Sequence, residues 1–151
     1  MVSNLIIGLL TMVVCVAIQG MIMAKMLHTL YNLEKKGWLQ TAMFGMSSVL
    51  IVITLIILTG NLLQIALWAG VFLLTDEFQL FSNAFYHSVV NFSTLGYGDI
   101  VMSESSRLLG ALEALNGVLM IGLSTGALFA VLNSLMKKAW LERGKHTSKV
   151  I

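Results

Sequence analysis

The stretch that decides the fold is Phe78–Asp99, FQLFSNAFYHSVVNFSTLGYGD. Its first two-thirds have helical character, about Leu80 to Phe92, and it then stops at Gly96 and Gly98, which flank a single tyrosine. A helix needs roughly 20 apolar residues to cross a bilayer core, so this segment cannot cross and return as two full helices. A half-depth helix followed by an extended loop is the geometry it allows. Non-helical backbone at membrane depth is tolerated only where it lines a water-filled path or is buried in protein. The segment is therefore a re-entrant loop, or else a plain external hairpin.

Working outward, the composition places both flanks in a membrane. Of 151 residues, 58% are hydrophobic and 11% charged, where a soluble domain carries about 25% charged residues. Three stretches are long and apolar enough to span: about Leu5 to Met26, Phe44 to Leu74 and Leu108 to Met136. The second exceeds one perpendicular crossing, which favours tilt. The first lacks a basic leading segment and a small-residue cleavage pattern, so it is a membrane helix rather than a signal peptide. With no charge between Val2 and Ala24, it has no polar face to lie along the surface as an interfacial helix. The absence of proline suits continuous helices, and the single Cys15 excludes an internal disulfide. The organisation expected is residues 1–42, an N-terminal span and loop; 43–138, a second unit holding two spans and the re-entrant segment; and 139–151, a basic tail.

The net charge is only +2, but the charges are unevenly placed. Lys25, Lys35, Lys36, Lys137, Lys138, Arg143, Lys145 and Lys149 flank the spans on one side. The segment between the second and third spans carries Asp76, Glu77, Asp99 and Glu104 against Arg107. The positive-inside rule then puts the Lys-rich connection and the C-terminus in the cytoplasm, with the N-terminus and the re-entrant segment outside. An odd number of spans agrees with termini on opposite sides.

Thr94-Leu95-Gly96-Tyr97-Gly98-Asp99 resembles the potassium-channel signature TVGYGD, with leucine in place of the usual valine. The resemblance extends from Phe44 to about Lys138 and is to the pore domain of potassium channels, in particular the two-span prokaryotic type; the first span lies outside it. It implies an all-α membrane protein of three transmembrane helices, with a re-entrant pore helix and a selectivity-filter loop between the second and third. One pore loop cannot encircle an ion, so a homotetramer with the filter on its axis is implied. Backbone carbonyls of Thr94, Leu95, Gly96 and Tyr97, with the Thr94 hydroxyl, would then replace the hydration shell of K+. Gly96 and Gly98 supply backbone angles that side chains forbid. Asp99 at the outer mouth concentrates cations and can anchor the loop to the pore helix.

Further roles follow from the same resemblance. Tyr86 and His87 occupy the positions where related channels brace the filter tyrosine with tryptophans; the alternative is that they anchor in the lipid headgroup region. Val90 stands where some channels place a glutamate behind the filter, which suggests a simpler bracing network. Gly117, ten residues after Arg107, is the candidate inner-helix hinge, although close packing against a neighbour explains a glycine equally well. If Val118 faces the axis, Ile121, Thr125 and Phe129 share its face and line a cavity that Phe129 can close; plain helix packing is the alternative. Glu113 is ionisable at membrane depth, a functional candidate by default. It either supports the filter or pairs structurally with His87, Asn91 or Asn61. Gly122 and Gly126 form a GxxxG pattern suited to a helix contact, and Asn61 and Gln64 share a face suited to bonding within the bundle.

The implied function is passive, potassium-selective conduction. A weakly selective cation channel shares the architecture and is favoured by Leu95 and the Tyr86–His87 pair, and a non-conducting membrane subunit is the other alternative. No catalytic constellation, enzymatic activity, nucleic-acid partner or metal cofactor is expected; the permeant K+ is the ligand, and the homotetramer and membrane lipids are the partners. The expected location is a multi-pass position in a prokaryotic inner membrane. A voltage sensor is not expected, because the first span has no arginine row, and the residues after Met136 are too few for a folded ligand-binding domain.

Overall fold

Long apolar runs without proline leave the backbone no cheaper way to satisfy its hydrogen bonds than continuous helix. The computed structural model describes residues 2–35 and 42–147. It contains α1 (Val2–Lys35), α2 (Ala42–Leu74), α3 (Phe81–Phe92) and α4 (Arg107–Thr147). Helices α1, α2 and α4 are long and apolar enough to cross a membrane. The short α3 lies against α2 and α4 at one end of the three-helix bundle. The described residues are thus all-helical in their regular structure, those of a multi-pass membrane protein with a short helix between its second and third spans.

Two helices run further than the apolar pattern indicates. The connection taken to begin at Lys25 is helical through Lys35, and the tail after Lys138 continues α4 to Thr147. The reason lies in the residues past each apolar run: 26–35 and 137–143 contain neither Pro nor Gly and are mostly good helix formers. Met26, Leu30 and Leu33 also recur at helical spacing and pack with Val49, Ile53, Val131 and Leu135. Lys36 and Lys149 lie outside the described residues.

α2 ends at a backbone cap. Asp76 takes φ 56°, the Glu77 N–H bonds the Phe72 carbonyl at 3.0 Å, and the Asp76 N–H bonds the Leu73 carbonyl at 3.1 Å. This is a Schellman cap with aspartate where glycine is usual, a position its short polar side chain tolerates. The cap turns the chain back toward the membrane to begin α3.

Lipid tails are as apolar as the helices, so packing and polar contacts must select neighbours. Helix α1 runs parallel to α4, tied to it by three polar contacts. Asn4 Nδ2 donates to the Ser105 carbonyl at 2.8 Å, Gln19 Nε2 donates to Ser124 Oγ at 3.1 Å, and Glu34 pairs with Lys138. Gln64 of α2 joins the middle tie, donating to Gln19 Oε1 at 2.8 Å, and Asn61 Oδ1 lies 3.5 Å from Ser124 Oγ. Asn61 and Gln64 therefore do bond within the bundle, through Gln19 and Ser124. Cys15, on the same side of α1, is fully buried among Trp68, Ala69 and Phe72.

Gly117 sits where α4 passes the C-terminus of α3. A Cβ there would collide with the Phe92 carbonyl oxygen and come within 2.9 Å of its Cα, and these are backbone atoms that cannot rotate away. Gly122 and Gly126 face open space, so the contact their spacing suggests is not made within the chain. Gly117→Ala is expected to lower stability by about 1–3 kcal/mol, the usual cost of overpacking. Gly20→Ala, with nothing near its Cβ, should leave stability unchanged or slightly raised; thermal unfolding of the two purified variants checks both.

Candidate functional site

Helix α3 carries a polar stripe on its inner face, and that stripe fixes its position. Ser88 is fully buried; its hydroxyl lies 2.9 Å from the Ile65 carbonyl of α2 and donates to Glu113 Oε1 of α4. Asn91, one turn on, uses both amide hydrogens: Nδ2 donates to Glu113 Oε2 at 2.7 Å and to the Gly110 carbonyl at 2.7 Å. Glu113 is fully buried and its carboxyl is held from both sides. Of the partners considered for Glu113, Asn91 is the one the fold brings to it, whereas His87 and Asn61 bond elsewhere. Ser88 was not singled out from sequence, although its i,i+3 spacing with Asn91 was visible.

The chain leaves α3 in a tight turn that uses the carbonyls of Val89, Val90 and Asn91. The Ser93 N–H bonds Val89, Thr94 bonds Asn91, and Leu95 and Gly96 both reach the Val90 carbonyl, at 3.1, 2.9, 2.9 and 3.5 Å. Val90 thus touches the loop through its backbone, with its side chain buried. Beyond it, positive φ recurs at every second residue: Thr94 at 60°, Gly96 at 57° and Gly98 at 75°. Glycine adopts such angles freely, but threonine does so at a cost of order 1–3 kcal/mol. Among the described residues, no hydrogen bond is donated to the carbonyl oxygens of Thr94, Leu95, Gly96 or Tyr97. The side chains of Leu95 and Tyr97 are exposed on the single chain.

Two side chains of α3 clamp the far end of the loop. The Tyr86 hydroxyl donates to Asp99 Oδ2 at 2.7 Å, while Asp99 Oδ1 accepts from the Ile100 N–H at 3.0 Å. His87 Nδ1 lies 3.2 Å from the Ile100 carbonyl, which can only accept, so Nδ1 carries the proton. The imidazole is set edge-on against Phe72 and tilted on Phe78, with ring centroids 5.6 and 5.1 Å away. The Tyr86 hydrogen bond holds the Asp99 carboxyl below its usual range and raises the phenol in turn. Nearby, Glu77 accepts from the backbone N–H of Ser103 and, at 2.8 Å, from its hydroxyl. Burial pushes Glu77 upward, but the Ser103 bonds outweigh it and the carboxyl lies below its ordinary value. This tie between the end of α2 and the approach to α4 carried no sequence signal, because it depends on two loops meeting.

On α4, Leu109, Glu113, Asn116, Met120 and Ser124 form the buried face. Val118, Ile121, Thr125 and Phe129 lie together on an exposed face. The Thr125 hydroxyl donates back to the Ile121 carbonyl at 2.9 Å, leaving its lone pairs outward. Among the described residues, no cluster of His, Cys, Asp and Glu could hold a metal ion.

Comparison with known proteins bears on this arrangement. A family model described as an ion channel matches residues 49–134, from within α2 to late in α4. Two-pore potassium channel 4 of Arabidopsis thaliana is 40% identical over 68 residues, covering 44% of this chain and 24% of that protein. The chain therefore spans about a quarter of that relative's length. No solved structure matches. The match over more than half the chain falls on the two helices, the re-entrant helix and the loop described above, and the chain belongs to the ion-channel family.

Proposed function

We propose that four copies of this chain form a potassium-selective channel conducting K+ passively through the carbonyls of Thr94, Leu95, Gly96 and Tyr97. The observation that carries the reading is the loop backbone: left-handed φ at every second residue, with those four carbonyls left unbonded by the chain. Such a backbone can turn successive carbonyls to one side, and four copies around an axis would stack them into rings that replace an ion's water. The similarity to a two-pore potassium channel supports potassium as the ion. In the tetramer the exposed Leu95 and Tyr97 side chains gain neighbours behind the filter, and Val118, Ile121, Thr125 and Phe129 face the cavity. Asp99 supplies negative potential at the outer mouth. The charge distribution supports an external filter and N-terminus and a cytoplasmic C-terminus.

In this reading Tyr86, His87, Val90 and Glu113 support the filter, and Gly117 allows α4 to pass close beneath α3, with any hinge motion starting from that contact. The pore unit is residues 43–138, with 1–42 and 139–151 as its additions. Passive conduction requires no cofactor and no bond-making chemistry. Leu95 in place of the usual valine favours, as the second reading, a less selective cation channel.

Reconstituted in liposomes, the protein is expected to pass K+ faster than Na+, and Gly96→Ala, which forces a Cβ onto φ 57°, should abolish the flux. Equal passage of both ions would support the second reading, and no passage of either would overturn conduction. Glu113→Ala leaves one Asn91 amide hydrogen without an acceptor, at about 1–3 kcal/mol, and Ser88 with the Ile65 carbonyl alone. It should therefore cut the K+/Na+ flux ratio and the yield of assembled protein more than Glu113→Gln, which keeps an acceptor oxygen.

Because Asp99 is held below its ordinary value, its charge and the Tyr86 bond persist above the usual carboxylate range and are lost as external pH falls through the lowered value. Tyr86→Phe should move the acid limb of the flux–pH profile to higher pH, toward the ordinary aspartate range.

A further inference from the structure

Helices α1 and α2 form a groove of about 820 Å³ that belongs to neither the filter nor the exposed face of α4. One wall is Ile18, Met21 and Ile22, followed at the same helical spacing by Lys25; Thr59 and Leu63 stand opposite. Gly60 lets α1 and α2 approach closely at the groove floor, since a Cβ there would strike the Ile22 side chain. The groove is apolar apart from two groups. The Thr59 hydroxyl is taken by the Leu55 carbonyl at 2.8 Å, which leaves the Lys25 ammonium as the polar feature a ligand would meet.

The depth of Lys25 in the membrane follows from the sequence. No charged residue lies between Val2 and Ala24, and the rise from Leu5 to Lys25 is about 30 Å, the thickness of a bilayer's hydrocarbon core. Lys25 therefore comes within a long side chain's reach of the headgroups on that side, ten residues before α1 ends at Lys35. The apolar trough leads from it into the adjoining leaflet. A long apolar slot opening beside one cation at headgroup level matches an acyl chain joined to an anionic head.

We infer that the α1–α2 groove binds an anionic phospholipid, its acyl chain lying along Ile18–Ile22 and Leu63 and its phosphate meeting Lys25. A free phosphate would leave the trough empty, and a zwitterionic head would place its own cation near the lysine. The site depends on α1 and α2 spanning the membrane and not on conduction, so its test needs no flux.

Native mass spectrometry of the purified full-length protein, titrated with phosphatidylglycerol or phosphatidylcholine, reads the retained lipid directly. The wild-type chain is expected to hold phosphatidylglycerol about fivefold more tightly, the effect of one lysine near an anionic head. Lys25→Gln should bring the two lipids level and Lys25→Arg should keep the preference. Leu63→Trp, which fills the trough and leaves the charge, should reduce retention of both. Lys137→Gln, on the exposed surface of α4, should change nothing. Equal retention of both lipids by the wild-type chain, a preference that survives Lys25→Gln, or one that disappears with Lys137→Gln would each overturn the proposal.

Discussion

A carboxyl group without water must be hydrogen-bonded by the protein, and the position of the loop follows from how Glu113 meets that demand. The donors that reach it are Ser88 and Asn91, both on α3. They can do so only if the short helix lies against α4 with that one face inward. Ser88 also touches the Ile65 carbonyl of α2, so a single cluster sets α3 against both spans. Moving α3 by one turn would bury a carboxyl and two donors without partners, at several kcal/mol. The apolar contacts around the cluster, among them Phe92 with Leu109 and Met120, fill space but would tolerate sliding. The polar contacts set the register.

With α3 fixed, the backbone beyond it is held from both ends. Its N–H groups point back to the Val90 and Asn91 carbonyls, and its far end is held by Tyr86 on Asp99 and His87 on Ile100. The left-handed angle at Thr94 is unfavourable for a threonine in isolation, and such angles persist where the surroundings over-determine them. Here the overdetermination has named sources: four side chains of one twelve-residue helix, two on its inner face and two on its outer turn. The N–H groups of Thr94, Leu95 and Gly96 are satisfied inside the chain while the carbonyls of Thr94, Leu95, Gly96 and Tyr97 are left free, so a ligand meets oxygens there.

Much of the fold was legible in the sequence because lipid allows so few backbone solutions. Three apolar runs had to be helices, and the glycines of Thr94–Asp99 had to end a fourth. The pore helix expected from Leu80 to Phe92 is observed at Phe81–Phe92 with Leu80 as its cap. The helical extensions to Lys35 and Thr147 were less legible, since hydropathy marks where a helix enters lipid and not where it stops. At the site, Asp99 as an anchor came with the resemblance to the channel signature, and Asn91 was one of three polar partners open to Glu113. Gln19, Ser88 and the Glu77–Ser103 tie could not be named, because each becomes meaningful only when a second helix or loop arrives. The positive φ at Thr94 was hidden for another reason: the hexad advertises its glycines, while the third left-handed position is imposed by tertiary contacts on a residue that would not choose it.

The place of α1 follows from where its polar ties fall along α4. Asn4 holds Ser105 before the helix begins, Gln19 holds Ser124 in its middle, and Glu34 pairs with Lys138 toward its end. Gly117 lies between the first tie and the second, directly over the Phe92 carbonyl. Parallel helices joined at matched heights behave as one beam, so α4 cannot bend at Gly117 unless a tie breaks or α1 moves with it. The ionic tie is partly exposed and of small value. The Gln19 tie, shared with Gln64 in the bundle interior, has no water to replace it and is the costly one to lose. A helix outside the matched pore region is therefore mechanically coupled to the face of α4 that carries Thr125, through the adjacent Ser124.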